Sequence, residues 1–194
     1  MNQWKYGISF AEETPITAPL PLDGAFYQAL ETAAKFGYKG LEFHTLETTQ
    51  FDFIKYKEYI DKLGISICAI ASGRLYTKKN LSIINDDPIV ARLAVTGMKK
   101  YIDLCSSLNT GLIIGWVKGM IKPGDDRNRA LTLLAERLKE LDDYAGMKGV
   151  KLYLEAINHY EVNNLNTAYE VLDFITSNKL ENHFVHLDTF HMGI

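Results

Sequence analysis

The feature that most constrains the fold is a regular alternation of short apolar segments with longer amphipathic ones. Six segments rich in apolar and β-branched residues are predicted strands, at 5–10, 40–45, 65–72, 110–117, 151–157 and 183–189. Five segments with helical periodicity lie between them, at 23–36, 51–63, 86–108, 126–148 and 166–178. This order is typical of βαβ units, so we predict an α/β protein with a parallel sheet.

The junctions between elements repeat as well. Gly64 and Gly149 each follow a predicted helix and precede a strand, in DKLGISICAI and GMKGVKLYLE. Glycine there is suited to the left-handed residue that ends a helix. No linker rich in Pro, Gly or Ser interrupts the pattern, so we expect residues 1–194 to form one domain.

Strands and helices in this order fit either an open doubly wound sheet or a closed barrel. No GxGxxG or GxxxxGK[ST] motif follows a strand, so the usual nucleotide-binding signal for the open sheet is absent. Glu42, Lys118, Glu155 and Asp188 lie at or just beyond the C-terminal halves of predicted strands. Each alone could cap a helix or pair with a neighbour. Four together favour the mouth of a barrel, where such folds place their chemistry.

Two of these residues suggest a metal site. Glu155 lies within an apolar strand, where an ionised carboxylate is costly unless it meets a cation or several donors. Asp188 is likewise an acidic residue within the next predicted apolar strand, and His191 follows three residues later. Oxygen ligands with some imidazole suit Mn²⁺, Mg²⁺ or Co²⁺. A buried Asp–His hydrogen bond that only holds a loop is the alternative.

Composition restricts the partners and the compartment. A net charge of −3 offers no broad attraction for nucleic acid or an anionic membrane. The N-terminal segment MNQWKYGISF lacks the signal-peptide pattern, and no stretch approaches the ~18 apolar residues of a membrane span. Cys68 and Cys105 stand in apolar segments without CxxC spacing. We therefore expect two buried, reduced thiols in a cytoplasmic protein that binds neither membrane nor nucleic acid.

The blocks LEAINHYEVNNLNT and HLDTFHM resemble the paired signature of the xylose-isomerase-like barrel superfamily. The segments SGRLYTKKNLS and IGWVKG extend the likeness over essentially the whole chain. Within the superfamily the resemblance points to the ketose 3-epimerase branch, with hydroxypyruvate isomerase nearby. It implies a (β/α)₈ TIM-barrel fold and a metal-dependent isomerase that acts on a ketose or ketose phosphate through an enediolate.

The resemblance also implies roles for individual residues. Glu155 and Asp188 match the family's metal ligands, and Glu155 also matches an acid/base that acts on one face of the sugar. Glu161 and His191 match residues that contact the substrate's oxygens near the reacting carbons. Apart from the resemblance, Glu42 at the end of its strand could bond a sugar hydroxyl or hold Lys118 or Arg74. Lys118 and Arg74 could hold a substrate phosphate, or they could be solvated charges of their loops.

The chain has about six βα units, whereas such barrels typically need ~250 residues. We therefore expect a C-terminally incomplete barrel that lacks two strands with their ligands and the opposite-face base, and whose activity is in question. Such a piece exposes sheet edges and apolar surface, which favours a homo-oligomer. Two alternatives stay open. One is a non-catalytic remnant or oligomerising fragment; the other is a DNA-repair enzyme similar to the metal-dependent apurinic endonucleases.

Overall fold

The computed structural model describes residues 5–13, 20–46, 48 and 53–194. Seven strands lie within these residues: β1 (Gly7–Ala11), β2 (Leu22–Asp23), β3 (Gly40–His44), β4 (Ser66–Ala71), β5 (Gly111–Ile114), β6 (Leu152–Ala156) and β7 (His183–Leu187). They form one sheet in the order β2-β1-β3-β4-β5-β6-β7. Every pair is parallel, as the alternation of strands and helices predicts.

Seven helices lie in the same residues: α1 (Phe26–Lys35), α2 (Phe53–Leu63), α3 (Arg74–Lys79), α4 (Pro88–Leu108), α5 (Arg127–Lys148), α6 (Ala168–Ser177) and α7 (Thr189–Met192). Local sequence accounts for several helix ends. Asp87 accepts the Ile89 N–H at the start of α4, with Pro88 in the first turn. Gly64 and Gly149 have positive φ at the ends of α2 and α5, as predicted.

The two faces of the sheet differ in chemistry because side chains alternate along each strand. On β3, Leu41 and Phe43 are completely buried in the core that the helices cover. Glu42 lies between them in sequence and faces the opposite side, where the Ser9 hydroxyl bonds to it. The same alternation on β6 buries Leu152 and Leu154 and leaves Glu155 on that opposite side.

The observed architecture confirms the prediction of a TIM-barrel type α/β fold. Some element boundaries differ from the predicted ones. β5 ends at Ile114, and a 3-10 turn at Trp116–Lys118 follows where a continuing strand was predicted. β2, α3 and α7 were not predicted, because two to six residues are too short to show a periodicity. Residues 51 and 52 of the predicted second helix lie outside the described residues.

The two cysteines are free thiols, as expected, but only Cys105 is buried. Cys68 is exposed, so the prediction of its burial is wrong. It lies at an irregularity in the pairing of β3 with β4, where Ile67 and Ala69 pair with consecutive residues of β3. Its sulfur comes close to Gly7 and Gly40, which have no side chains to cover it.

Among the helices of the described ranges, none is both long and apolar enough to cross a membrane.

Candidate active site

Glu155 occupies the fourth of the five positions of β6, and its side chain is only 13% exposed. The neighbouring backbone at Gly115 follows β5 directly. A Cβ atom added to Gly115 would lie 2.4 Å from Glu155 Oε2, well inside van der Waals contact. The carboxylate can therefore occupy this position only because residue 115 is a glycine.

Asp188 and His191 come from the end of the adjacent strand. Asp188 follows β7 directly and accepts the Phe190 N–H at 2.8 Å as the N-cap of α7. The single turn of α7 then brings His191 to the same side. One ligand atom from each of Glu155, Asp188 and His191 lies within 4.8 Å of the other two. The two carboxylates thus converge at the C-terminal strand ends, as their positions in the sequence predict.

The spacing of these groups suits a divalent cation. Ligand atoms lie roughly 2.0–2.6 Å from a hard divalent ion, so two ligands of one ion are at most about 4 to 5 Å apart. Two carboxylate donors also match the oxygen preference of Mn²⁺ and Mg²⁺. The alternative of an Asp188–His191 hydrogen bond is not observed among the described contacts, where the His191 ring instead lies against Asn158.

The electrostatics of the site also favour a cation. Burial raises the pKa of Glu155 to about 7, and the negative charges of Glu42, Asp188 and Glu161 add to this increase. The positive charge of Lys118 opposes it. A carboxyl group whose pKa is this high sits among like charges that a bound cation would offset.

Lys118 lies at the end of the 3-10 turn, and its side chain is completely buried. Its ammonium donates to the backbone carbonyl of Glu155. Burial lowers the pKa of Lys118 to about 8, although the charge of Glu155 acts in the other direction. The burial leaves no side-chain surface for the predicted contact with a substrate phosphate. Lys118 instead places a positive charge beside the backbone of Glu155.

Glu161 lies in the loop after β6, and both of its carboxylate oxygens accept hydrogen bonds. Trp116 Nε1 donates to Oε2 at 2.9 Å, and Asn158 Nδ2 donates to Oε1 at 2.9 Å. His191 Nδ1 is 3.8 Å from Oε1 of the same carboxylate. The structure therefore brings together Glu161 and His191, the two residues expected to contact substrate oxygens.

Glu42 lies on the same face of the sheet, on β3. It bonds to His44 Nε2 at 2.7 Å and accepts a hydrogen bond from the Ser9 hydroxyl at 3.2 Å. Burial alone would raise the pKa of Glu42, but the bond and charge of His44, with smaller effects of His186 and Ser9, hold it below its usual value. Its described partners do not include Lys118 or Arg74, and Arg74 donates instead to the His44 carbonyl at 3.4 Å.

Four residues of the site were not found from the sequence: Gly115, Trp116, Asn158 and His186. Only His186 had a usable signal. It pairs with Glu155 across β6 and β7, and its Nε2 lies 3.9 Å from Glu155 Oε1. Residues paired in register point to the same face, so the alternation along HFVHL predicts that His186 joins Glu155.

Comparison with known proteins agrees with the fold. The family model described as xylose isomerase-like TIM barrel matches residues 30–194. The L-ribulose 3-epimerase of Methylomonas sp. is 29% identical over 86% of this chain and 58% of its own length. The D-psicose 3-epimerase of Enterocloster bolteae is 28% identical over 98% of this chain and 63% of its own length.

A solved structure of an L-ribulose 3-epimerase superposes with a TM-score of 0.73 at 28% identity. The match covers 96% of this chain and 61% of the solved one. The chain therefore spans about three-fifths of the length of the relatives that it matches.

Proposed function

Because this chain belongs to the xylose isomerase-like TIM barrel family, we propose that it carries the metal-binding and proton-removing part of a ketose 3-epimerase site. The observation that carries the proposal is the convergence of Glu155, Asp188 and His191, whose ligand atoms lie within 4.8 Å of one another. The 3-epimerase names of the relatives indicate the reaction class and suggest L-ribulose or D-psicose as substrates to test first.

We assign the metal to Glu155 and Asp188, with Mn²⁺, Mg²⁺ or Co²⁺ as the ion. A divalent cation bound there would stabilise the negative charge that develops on the sugar's oxygens when a C–H beside the ketone loses its proton. The Asp188 carboxylate is held in place by its bond to the Phe190 N–H. The pairing of β6 with β7 fixes the backbone of Glu155, and the missing side chain at Gly115 leaves room for the carboxylate.

Glu155 takes the proton in this proposal. A general base must accept a proton readily, and in the metal-free protein burial among other carboxylates raises the pKa of Glu155 to about 7. Its carboxylate removes the proton from C3 of the ketose. Because Glu155 is little exposed, the proton it holds is partly shielded from bulk water.

Glu161 and His191 orient the substrate. Each carboxylate oxygen can accept more than one hydrogen bond, so Glu161 can accept a sugar hydroxyl while Trp116 and Asn158 hold it. Glu42, fixed by Ser9 and His44, is a second acceptor on the same face of the sheet. Lys118 acts through the backbone of Glu155 and through its charge. The substrate is a small ketose or ketose phosphate.

Deuterium exchange tests the step assigned to Glu155. The protein is incubated in D₂O with Mn²⁺ and L-ribulose or D-psicose, and deuterium at C3 is measured by NMR alongside inversion. Proton removal by Glu155, followed by return of a deuteron, labels C3 even where no group delivers a proton to the opposite face. We expect labelling, and a loss of about 10²–10⁴-fold in Glu155→Gln.

Glu136→Gln is the matched control, because Glu136 is an exposed residue of α5. It should label C3 like the unaltered protein. Absence of Mn²⁺-dependent labelling with both sugars and their phosphates, or equal labelling in Glu155→Gln, would contradict the proposal. Calorimetry on Asp188→Asn separately tests the metal assignment, since loss of one of two carboxylate ligands should weaken Mn²⁺ binding at least tenfold.

A further inference from the structure

The side chain of Asn158 connects the loop after β6 to His191. Asn158 lies two residues beyond β6 and is almost completely buried. Its Oδ1 accepts the Tyr160 N–H at 3.0 Å, and its Nδ2 donates to Glu161 Oε1 at 2.9 Å. The same Nδ2 lies 2.8 Å from His191 Nδ1. One amide group therefore contacts both side chains expected to meet the substrate.

The two other contacts of the Asn158 amide decide which of its atoms faces His191. Reversing the amide would place its NH₂ against the Tyr160 N–H and its oxygen against the Glu161 carboxylate. Both contacts would be repulsive, because each would bring together two donors or two acceptors. The amide orientation is thus determined without reference to His191, and the atom that meets the imidazole is a donor.

A neutral imidazole has one N–H and one nitrogen with a free lone pair. Since Asn158 donates to Nδ1, the lone pair of His191 is on Nδ1 and its proton is on Nε2. Nε2 lies 3.9 Å from Glu155 Oε1. It is therefore on the side of the ring that faces the carboxylate cluster, which consists of Glu155 and Asp188. A nitrogen that carries a proton has no lone pair with which to bind a metal.

We propose that Asn158 is a positioning residue that sets the tautomer of His191, so that the ring presents an N–H donor, and no metal ligand, to the carboxylate cluster. The inference rests on the proposed function in that the cluster is taken to be the metal and substrate site. The proposal gives these residues different roles. Glu155 and Asp188 hold the ion, whereas His191 lies equally close to the ion's position but donates a hydrogen bond to a substrate oxygen.

The donor role fits the chemistry of the site. The oxygens of a ketose gain negative charge as a neighbouring C–H is lost, and an N–H donor stabilises that charge. The contact with Asn158 also keeps this donor in a fixed direction.

The test measures the imidazole ¹⁵N chemical shifts of the metal-free protein at about pH 8, well above the ordinary histidine pKa of about 6.5. The chain has five histidines, so a His191→Gln spectrum identifies the His191 signals by difference. We expect Nε2 of His191 to carry the proton. A proton on Nδ1, or on both nitrogens, would overturn the proposal, and this first measurement requires no Asn158 variant to fold.

Asn158→Asp then tests the cause, in a Glu161→Gln background so that the new carboxylate does not face the Glu161 carboxylate. A carboxylate oxygen in place of the NH₂ accepts from Nδ1, so the proton should move to Nδ1 and free the lone pair of Nε2. We expect Mn²⁺ to bind about tenfold more tightly in this variant, because the free lone pair of His191 Nε2 adds a third ligand to the two carboxylates. The double variant Asn158→Asp, His191→Ala should lose the part of this gain that comes from the new ligand. In the unaltered background, His191→Ala should change Mn²⁺ affinity less than about threefold.

Asn163→Ala is the matched control. Asn163 bonds to both the N–H and the carbonyl of Ile121 and so holds the same loop without touching His191. It should leave the tautomer unchanged, and an unchanged tautomer in Asn158→Asp would contradict the proposal. The spectra require neither substrate nor metal, so a failure of the exchange assay and a failure of this inference can be told apart.

Discussion

The buried ammonium of Lys118 donates a hydrogen bond to the backbone carbonyl of Glu155, one residue past the last position at which β6 pairs with β5. β5 ends at Ile114, so Lys118 contacts the edge of β6 at a position with which β5 no longer pairs. The contact also places a cation close enough to the Glu155 carboxylate to lower its pKa against the effect of burial. A residue without exposed surface therefore adjusts the charge of the site.

Replacing Lys118 with methionine keeps most of the side-chain volume and removes the charge. The pKa of Glu155 should then rise above about 7, but Mn²⁺ affinity at pH 7 should still rise several-fold, because the lost positive charge repels a divalent cation more strongly than it repels the competing proton. The gain should shrink at pH 8.5, where Lys118, with a pKa of about 8, is itself largely neutral. Calorimetry at both pH values measures this. Lys100→Met, at an exposed position of α4, should bind Mn²⁺ as the unaltered protein does. A loss of affinity in Lys118→Met, or a gain that does not depend on pH, would contradict the charge argument.

Gly115→Ala should move the Glu155 carboxylate at little cost to folding. The added methyl group would meet Glu155 Oε2 at 2.4 Å, and the end of a flexible side chain can move away. We expect Mn²⁺ affinity to fall about tenfold while the free energy of unfolding changes by less than about 1 kcal/mol. Calorimetry measures the Mn²⁺ affinity, and urea unfolding measures the stability.

Gly73→Ala is the control, since open space surrounds that position and its φ is negative. A large loss of stability in Gly115→Ala without a loss of metal affinity would show that the glycine serves packing alone.

Metal affinity should depend on pH through Glu155. Its pKa of about 7 lies above the ordinary value, so below pH 7 the ion must displace a proton. The apparent affinity for Mn²⁺ should rise roughly tenfold per pH unit below 7 and level off above it. The measurement is a set of titrations between pH 5.5 and 8.5. A flat profile down to pH 5.5 would mean that Glu155 is ionised throughout this range or does not bind the ion.

Away from the site, Asp142 and His183 form a buried pair that joins α5 to β7. Asp142 Oδ1 bonds to His183 Nδ1 and accepts the Asn182 N–H, each at 2.8 Å. Burial alone would raise the pKa of Asp142, but these bonds hold it below its usual range. Burial lowers the pKa of His183, although the bond and the charge of Asp142 act in the other direction.

Both shifts predict a loss of stability in acid. A histidine whose folded pKa is lowered loses stability as pH falls below the unfolded value of about 6.5. A carboxyl whose folded pKa is lowered adds to the loss below about pH 4. Urea unfolding should therefore give a smaller free energy of unfolding at pH 5 than at pH 7.5.

At pH 7.5, Asp142→Asn should lower the free energy of unfolding by about 2–4 kcal/mol, because an NH₂ group replaces one acceptor of a buried network. Asp143→Asn, at the exposed neighbouring position, should change stability by less than about 0.5 kcal/mol.

The sequence by itself determined the sheet, the long helices and the two carboxylates at the strand ends. Each of these depends on local information. Apolar residues at every second position of β3 and β6 set which side chains enter the core, and an acidic residue out of place in such a strand is visible without coordinates. The blocks around Glu155 and Asp188 added the family resemblance, which the family model confirms.

Only the tertiary structure decided how the loops hold these groups. Asn158 meets His191 across 33 positions of sequence, and Trp116 meets Glu161 across 45. Neither contact follows from a helix or strand period, because loop side chains take their direction from the hydrogen bonds that the packed loops allow. The burial of Lys118 and the exposure of Cys68 were likewise set by where β5 ends and where the pairing of β4 shifts. Local periodicity specifies which elements form and which faces are apolar; the directions of polar side chains depend on partners that only the folded chain brings within bonding distance.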